Sequence, residues 1–141
     1  MVRNWSVGWL VGIMCVVVLT GCSFSEEQPV PIFPEAVEVV DQGTEFLTLI
    51  EFVQRQSGEE ISGDVKIYRL PQGTTPTNVL DFYSAELAQK RSWEETRNEI
   101  NILGLRYGNG TWTKGTQSVE IHIVPPFDET NQLWMLKTEV R

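Results

Sequence analysis

Cysteine and histidine are almost absent from this chain. Its 141 residues include two cysteines, Cys15 and Cys22, and a single histidine, His122. Because both cysteines lie within the first 22 residues, the rest of the chain can form no disulfide, no thiolate metal site and no cysteine nucleophile. Its stability must therefore come from packing alone.

Positive charge is also scarce, with 11 Lys and Arg residues against 19 Asp and Glu residues and a formal net charge of −8. Residues 22–141 retain all 19 acidic residues and ten of the basic ones, so their formal charge is −9. This balance argues against a nucleic-acid partner and against electrostatic adhesion to anionic lipid headgroups. It predicts a domain that stands off a membrane surface.

A hydrophobic run long enough to cross a membrane is missing as well. The N-terminal apolar run from Val7 to Leu19 has thirteen residues, whereas an uncleaved anchor needs about 20. The run follows a short, positively charged start that contains Arg3. This arrangement is typical of a secretory signal peptide.

The run ends in the tetrapeptide Leu19-Thr20-Gly21-Cys22, which resembles the lipobox of bacterial lipoproteins at all four positions. The resemblance implies cleavage between Gly21 and Cys22, a diacylglyceryl group on the Cys22 sulfur, and a further acyl chain such as palmitate on the new amine. Each buried methylene contributes about 0.8 kcal/mol, so two or three chains hold a protein on a membrane. Ser23, in place of Asp, implies the outer membrane in a bacterium with two membranes; otherwise the protein lies on the outer face of the cell membrane.

The chain divides into three parts by composition. We expect a signal peptide over residues 1–21, a lipidated N-terminus and proline-rich tether over 22–34, and one domain over 35–141. The tether contains three prolines, which favour an extended, polyproline-like chain of about 35 Å. Its last part, residues 31–34, is apolar enough to lie against the domain.

The hydrophobic pattern of residues 35–141 predicts an α+β domain, with one helix packed on a mostly antiparallel sheet of about five to seven strands. A capping Thr75, Pro76 in the first turn and apolar residues at helical spacing predict the helix over about 76–91. The predicted strands cover residues 36–40, 45–53, 65–70, 93–97, 111–124, as a hairpin, and 133–140.

Gly115-Thr116 predicts a two-residue turn that pairs Trp112 with Val119 and Thr111 with Glu120. One face of this hairpin then collects the apolar residues Trp112, Val119, Ile121 and Ile123, which we expect under the helix. The other face carries the polar residues Thr111, Thr113, Ser118, Glu120 and His122. On the last strand we expect Trp134, Leu136 and Val140 to point inward, with Leu133, Met135 and Val124 on the opposite face, either covered by a loop or marking a partner surface.

His122 and Glu120 share a strand face about 7 Å apart, so a metal site or an acid–base pair could use both. A hydrolase would also need a nucleophile, for which Ser118 or Thr111 is available. The pattern is equally that of an ordinary solvated strand face, and this is the interpretation we adopt. We therefore predict no catalytic residue, no metal ligand and no cofactor, and assign only lipidation, at Cys22.

A second resemblance comes from Pro31-Ile32-Phe33-Pro34-Glu35-Ala36, the segment Asp81 to Leu87, and Trp93. This spacing is similar to that of uncharacterised small bacterial envelope domains with a proline-flanked entry, a Phe-Tyr helix and a following Trp. The resemblance supports the fold and implies no activity.

The sequence thus predicts a membrane-anchored extracytoplasmic lipoprotein that is not an enzyme. It would be an interaction or accessory module of the cell envelope, with an envelope protein as its possible partner. Two alternatives stay open: a carrier that holds an apolar ligand between helix and sheet, and a small hydrolase that uses His122 with carboxylates.

Overall fold

One antiparallel sheet organises the folded part of the chain. The computed structural model describes residues 28–40, 43–58, 60–102, 105–125 and 131–141. Within these ranges six strands pair in the order β1-β2-β6-β5-β4-β3. The elements are β1 (Val37–Glu38), α1 (Thr44–Ser57), β2 (Asp64–Arg69), α2 (Pro76–Tyr83), which continues as a π-helical segment (Ser84–Gln89), β3 (Glu94–Ile102), β4 (Leu105–Lys114), β5 (Gln117–Val124) and β6 (Trp134–Val140). The predicted α+β class with a mostly antiparallel sheet is confirmed.

Helix α2 begins where the sequence predicts. The Thr75 hydroxyl accepts a hydrogen bond from the backbone N–H of Asn78 at 3.2 Å, and the Asn78 side chain accepts one from the Thr75 N–H at 3.1 Å. This reciprocal cap satisfies backbone donors that a helix start leaves free. The buried side chains of the helix pack with those of one sheet face in a single core cluster, which includes Leu80, Tyr83, Leu87, Trp112, Val119, Ile121 and Ile123.

The predicted hairpin register is confirmed. Trp112 pairs with Val119 and Thr111 with Glu120, and Gly115 adopts the positive φ of 61° that the turn requires. Strand β4 also extends back through Gly110, where an added Cβ would lie 2.4 Å from the Trp112 ring. Only glycine allows this close approach of backbone to indole.

The predicted strand over 45–53 is wrong, because this segment lies within helix α1. Its apolar residues Phe46, Leu49, Ile50 and Val53 follow helical spacing, and Gly58 ends the helix in the left-handed conformation with its N–H on the Gln54 carbonyl. Helix α1 covers the sheet face opposite α2. Its buried residues form a second core cluster with Ile67, Val124, Trp134 and Leu136.

Because both faces of the sheet are covered, the predicted orientation of the side chains on the last strand also needs correction. Trp134 and Leu136 are buried under α1, whereas Met135 belongs to the cluster under α2, so the predicted sides of these residues are reversed. Val140, predicted inward, is 39% exposed. Val124 lies opposite α2 as predicted, but it is fully buried, as Met135 is, so neither residue forms a free partner surface.

Candidate functional site

The predicted lipidation site, Cys22, and the signal segment 1–21 lie outside the described residues. In the part of the chain that the structure describes, no helix is both long and apolar enough to cross a membrane. The first described residue is Gln28, and from there the chain lies on the domain.

Residues 28–34, which the sequence assigns to the tether, contact the folded domain. The Arg91 guanidinium donates hydrogen bonds to the carbonyl oxygens of Gln28 and Pro29, at 3.2 and 3.0 Å. The Phe33 ring meets the Phe82 ring edge-on, with 5.4 Å between centroids. Val30 and Phe33 both pack against the core cluster under α2. The folded unit therefore includes the chain from Gln28 onward, six residues after the predicted lipidation site at Cys22.

A small cleft of about 120 Å³ lies beside this docked segment. Its lining includes Gln28, Val30, Trp93, Gln117, Glu139 and Arg141. The start of the docked segment, the β4–β5 hairpin and the end of β6 therefore meet at one edge of the domain.

His122 lies on the opposite side of the sheet, in the face that α1 covers. It is 1% exposed, so the predicted solvated position is wrong. Its Nδ1 atom lies 2.6 Å from the Tyr107 hydroxyl, and its Nε2 atom lies 2.7 Å from Glu120 Oε1. Phe52 of α1 packs edge-on against Tyr107, with ring centroids 6.5 Å apart. The helix that the sequence pattern concealed is what covers this strand face.

The electrostatics of this group follow from its hydrogen bonds. An ionised carboxylate only accepts, so Nε2–H donates to Glu120, and in the neutral ring Nδ1 accepts from the Tyr107 hydroxyl. The hydrogen bond from His122 lowers the pKa of Glu120, although burial opposes this shift. Burial, together with the negative charge of Glu120, raises the pKa of Tyr107 to about 12. Tyr107 is therefore a poor source of phenolate near neutral pH.

This arrangement satisfies both ring nitrogens of a buried imidazole. The order hydroxyl, imidazole and carboxylate is also that of an activated nucleophile site, but here the imidazole is buried and the pKa of the Tyr107 hydroxyl is raised to about 12. The predicted partners Ser118 and Thr111 lie on neighbouring positions of the same face, with Thr111 opposite Glu120. Within the described ranges, no three His, Cys, Asp or Glu side chains gather in a way that could hold a metal ion.

A second buried ionic group lies on the α2 side of β6. Lys137 is 3% exposed, and its Nζ donates to Glu139 Oε1 at 2.6 Å while lying 5.8 Å from the centre of the Tyr68 ring. Burial raises the pKa of Glu139, but hydrogen bonds and charge from Lys137 and Arg141 outweigh it, so that pKa lies below its usual value. The aromatic face and the carboxylate together compensate the buried ammonium.

Sequence reasoning missed two of these residues. Continuing the hairpin register beyond Thr111 places Tyr107 diagonally next to His122, so a signal for Tyr107 was available. Lys137 offers no such signal, because it stands between Leu136 and Thr138 in a strand whose covered faces the sequence does not reveal. No protein-family model matches the chain, and no curated protein matches it either.

Proposed function

We propose that this protein is a membrane-anchored extracytoplasmic lipoprotein, held by acyl chains on Cys22, whose folded domain is a non-catalytic interaction or accessory module of the bacterial cell envelope. The observation that carries the proposal is the complete lipobox, Leu19-Thr20-Gly21-Cys22, directly after a thirteen-residue apolar run. Such a run is too short to span a bilayer but long enough for export. The membrane is the outer membrane in a bacterium with two, and otherwise the outer face of the cell membrane.

The docked segment supports this proposal from the structural side. An anchored domain must tolerate an N-terminus that is held at a membrane. Here the chain contacts the domain from Gln28 onward, through Arg91 and Phe33. The link from Cys22 to Glu27 therefore joins the proposed anchor directly to a packed element.

The non-catalytic part of the proposal rests on the His122 group. His122 and Glu120 are the acid–base pair identified from the sequence, and the hydrogen bonds of the ring are internal: Tyr107 donates to the ring, and the ring donates to Glu120. No specific observation favours the hydrolase or the apolar-ligand carrier, so we advance neither.

Metabolic labelling with fatty acid tests the anchor. Wild-type protein expressed in a bacterium should incorporate label and lose its signal peptide, because the Cys22 thiol is the acyl acceptor. Cys22→Ser should yield an unlabelled, full-length precursor. Cys15→Ser is the matched control, since it changes the other cysteine of the chain and should be labelled and processed normally. Label on the Cys22→Ser protein would refute the anchor.

Copurification tests the module. Lipidated protein extracted from envelope membranes in mild detergent should bring down one envelope protein in a constant ratio. The same chain produced as Cys22→Ser, which cannot be acylated, should bring down less of this protein. Hydrolytic turnover by the wild-type protein that disappears in His122→Gln would contradict the non-catalytic assignment.

A further inference from the structure

Cationic side chains surround the point at which the docked segment leaves the domain. Arg91 holds the Gln28 and Pro29 carbonyls, and Lys114 Nζ donates to the Arg91 carbonyl at 2.7 Å. Arg141 lines the same cleft as Gln28, and Lys90 is the chain neighbour of Arg91. We call the surface formed by Lys90, Arg91, Lys114 and Arg141 the exit patch.

The exit patch differs in charge from the rest of the domain. Lys90 pairs with Glu86, and Arg141 pairs with Glu139, which also binds the buried Lys137. Among the described residues, Lys114 and Arg91 make their hydrogen bonds with backbone carbonyls. The patch is therefore net positive in a chain whose residues 22–141 carry a formal charge of −9. Its cations are also accessible, because the side chains of Lys90 and Arg141 are 65% and 67% exposed.

The length of the remaining link brings this patch to the membrane. Residues 22–27 are six residues, and no chain of six residues can span more than about 20 Å. The screening length is about 10 Å at 0.1 M salt and about 30 Å at 0.01 M salt, so at low salt this limit lies within it. Charges at the exit point can therefore interact with the headgroups at low salt, although the link itself adds the negative charges of Glu26 and Glu27.

We propose that the exit patch rests on the anionic headgroups of the bilayer that holds Cys22, and so orients the domain with its acidic surfaces away from the membrane. This inference depends on the proposed lipid anchor. The net charge of the domain predicts that it stands off the bilayer, because a negative domain is repelled by anionic headgroups. The exit patch is the exception, because it is positive and lies next to the anchor. Trp93, which lines the cleft beside the patch, adds an aromatic ring of the kind found at membrane interfaces.

Lysine footprinting on vesicles tests the orientation. The full-length lipidated protein is reconstituted into vesicles of phosphatidylcholine alone or with phosphatidylglycerol, at low salt. A membrane-impermeant amine acylating reagent is then added, and modification is quantified by peptide mass spectrometry. Lys66, which lies on β2 with its Nζ 3.9 Å from Glu38, is the internal reference because it is not part of the exit patch.

With phosphatidylglycerol, modification of Lys90 and Lys114 relative to Lys66 should fall about threefold or more, since anionic lipid attracts nearby Lys and Arg. The ratio should recover with phosphatidylcholine alone or in 0.5 M salt, as expected for a screened interaction. Arg141→Gln should weaken the protection, whereas Arg55→Gln, which removes a 73% exposed cation on α1, should not.

The outcomes separate this inference from the anchor. Vesicle-bound protein with equal lysine ratios in both lipids would overturn the orientation and leave the anchor standing. Protein that carries no acyl chain on Cys22 and does not float with vesicles would overturn the anchor. If Arg141→Gln and Arg55→Gln weakened the protection of Lys90 and Lys114 equally, the protection would depend on net charge alone. That result would also overturn the proposed role of the exit patch.

Discussion

At the residue scale, His122 is a polar side chain buried within the sheet. A polar side chain in an alternating strand is normally solvated, yet here the ring is 1% exposed with a hydrogen bond at each nitrogen. Burial of a polar group is tolerated only when its hydrogen bonds are made. Tyr107 and Glu120 meet that requirement, and the three side chains therefore act as one structural unit.

This unit predicts a large effect of His122→Ala. The substitution should lower the free energy of unfolding by about 2 to 3 kcal/mol, because it leaves a cavity and two polar partners unpaired. A solvated histidine would cost under about 0.5 kcal/mol. Urea denaturation measures the difference. Thr96→Ala, at an exposed position of the same sheet face, is the control, and an equal cost for both variants would contradict the buried unit.

The pKa of Glu120 predicts a dependence on acid. That pKa is lower in the folded state than its ordinary value of 4.5, so the ionised carboxylate contributes stability that is present above about pH 4.5. This contribution is lost as the pH falls through the folded-state pKa. Glu120→Gln should therefore be less stable than wild type at pH 7, and its stability should fall less steeply below pH 4.5.

Denaturant titrations from pH 7 to pH 2.5 measure the two slopes. The pKa of Glu139 is also lowered, so Glu120→Gln should retain part of the acid sensitivity. Identical slopes for wild type and Glu120→Gln would show that His122 does not favour the charged form of Glu120.

At the element scale, α1 shows why a short apolar run is ambiguous. The segment 45–53 places apolar residues on both faces of a hypothetical strand, which is typical of a doubly covered strand. The same residues also form one helical stripe, and short runs do not separate the two interpretations by periodicity. Gly58 just after Ser57, in the left-handed conformation typical of a helix end, supplies the signal that favours the helix.

Leu47 and Leu49 distinguish the two structures by mutation. In a strand they would share a face and have similar effects, whereas in α1 Leu49 is fully buried and Leu47 is 60% exposed. Leu49→Ala should cost about 2 to 5 kcal/mol, and Leu47→Ala under about 0.5 kcal/mol because Leu and Ala have similar helix propensity. Thermal unfolding compares the two variants directly. Similar losses of stability in the two variants would favour a strand over a helix for this segment.

At the scale of the whole molecule, the sheet is covered on both faces, and the docked segment completes one cover. Helix α2 and residues Val30 and Phe33 lie on one side, and α1 lies on the other. The segment thus packs against the core. Packing of the core therefore also fixes the point at which the chain leaves the domain towards the proposed anchor.

Phe33→Ala should therefore destabilise the entire domain by about 1 to 3 kcal/mol, as expected for truncation of a half-buried aromatic side chain. Ile32→Ala is the matched control, because Ile32 is next to Phe33 in the chain and its own side chain is 50% exposed. Both variants should unfold in one transition that reductant does not shift, since the described residues contain no cysteine. A separate early transition in Phe33→Ala would show that the segment is not part of the cooperative unit.

The sequence by itself determined the elements whose signals are local. Thr75 and Pro76 specify the start of α2 through backbone hydrogen bonding and a restricted φ, and Gly115 specifies the hairpin turn and with it the register from Thr111 to Glu120. The lipobox and its short apolar run are local patterns of the same kind, and they carry the proposed anchor. Each depends on residues within a few positions of one another.

Only the tertiary structure decided what covers each strand face. Burial of His122 requires α1 to pack over β5, the sides of Trp134 and Met135 depend on two covered faces, and the docking of Phe33 depends on Phe82, which is far away in the sequence. The polar alternation around His122 is the same for a solvated face and for a face whose hydrogen bonds are met internally. The difference lies in contacts between distant segments, which no local pattern records.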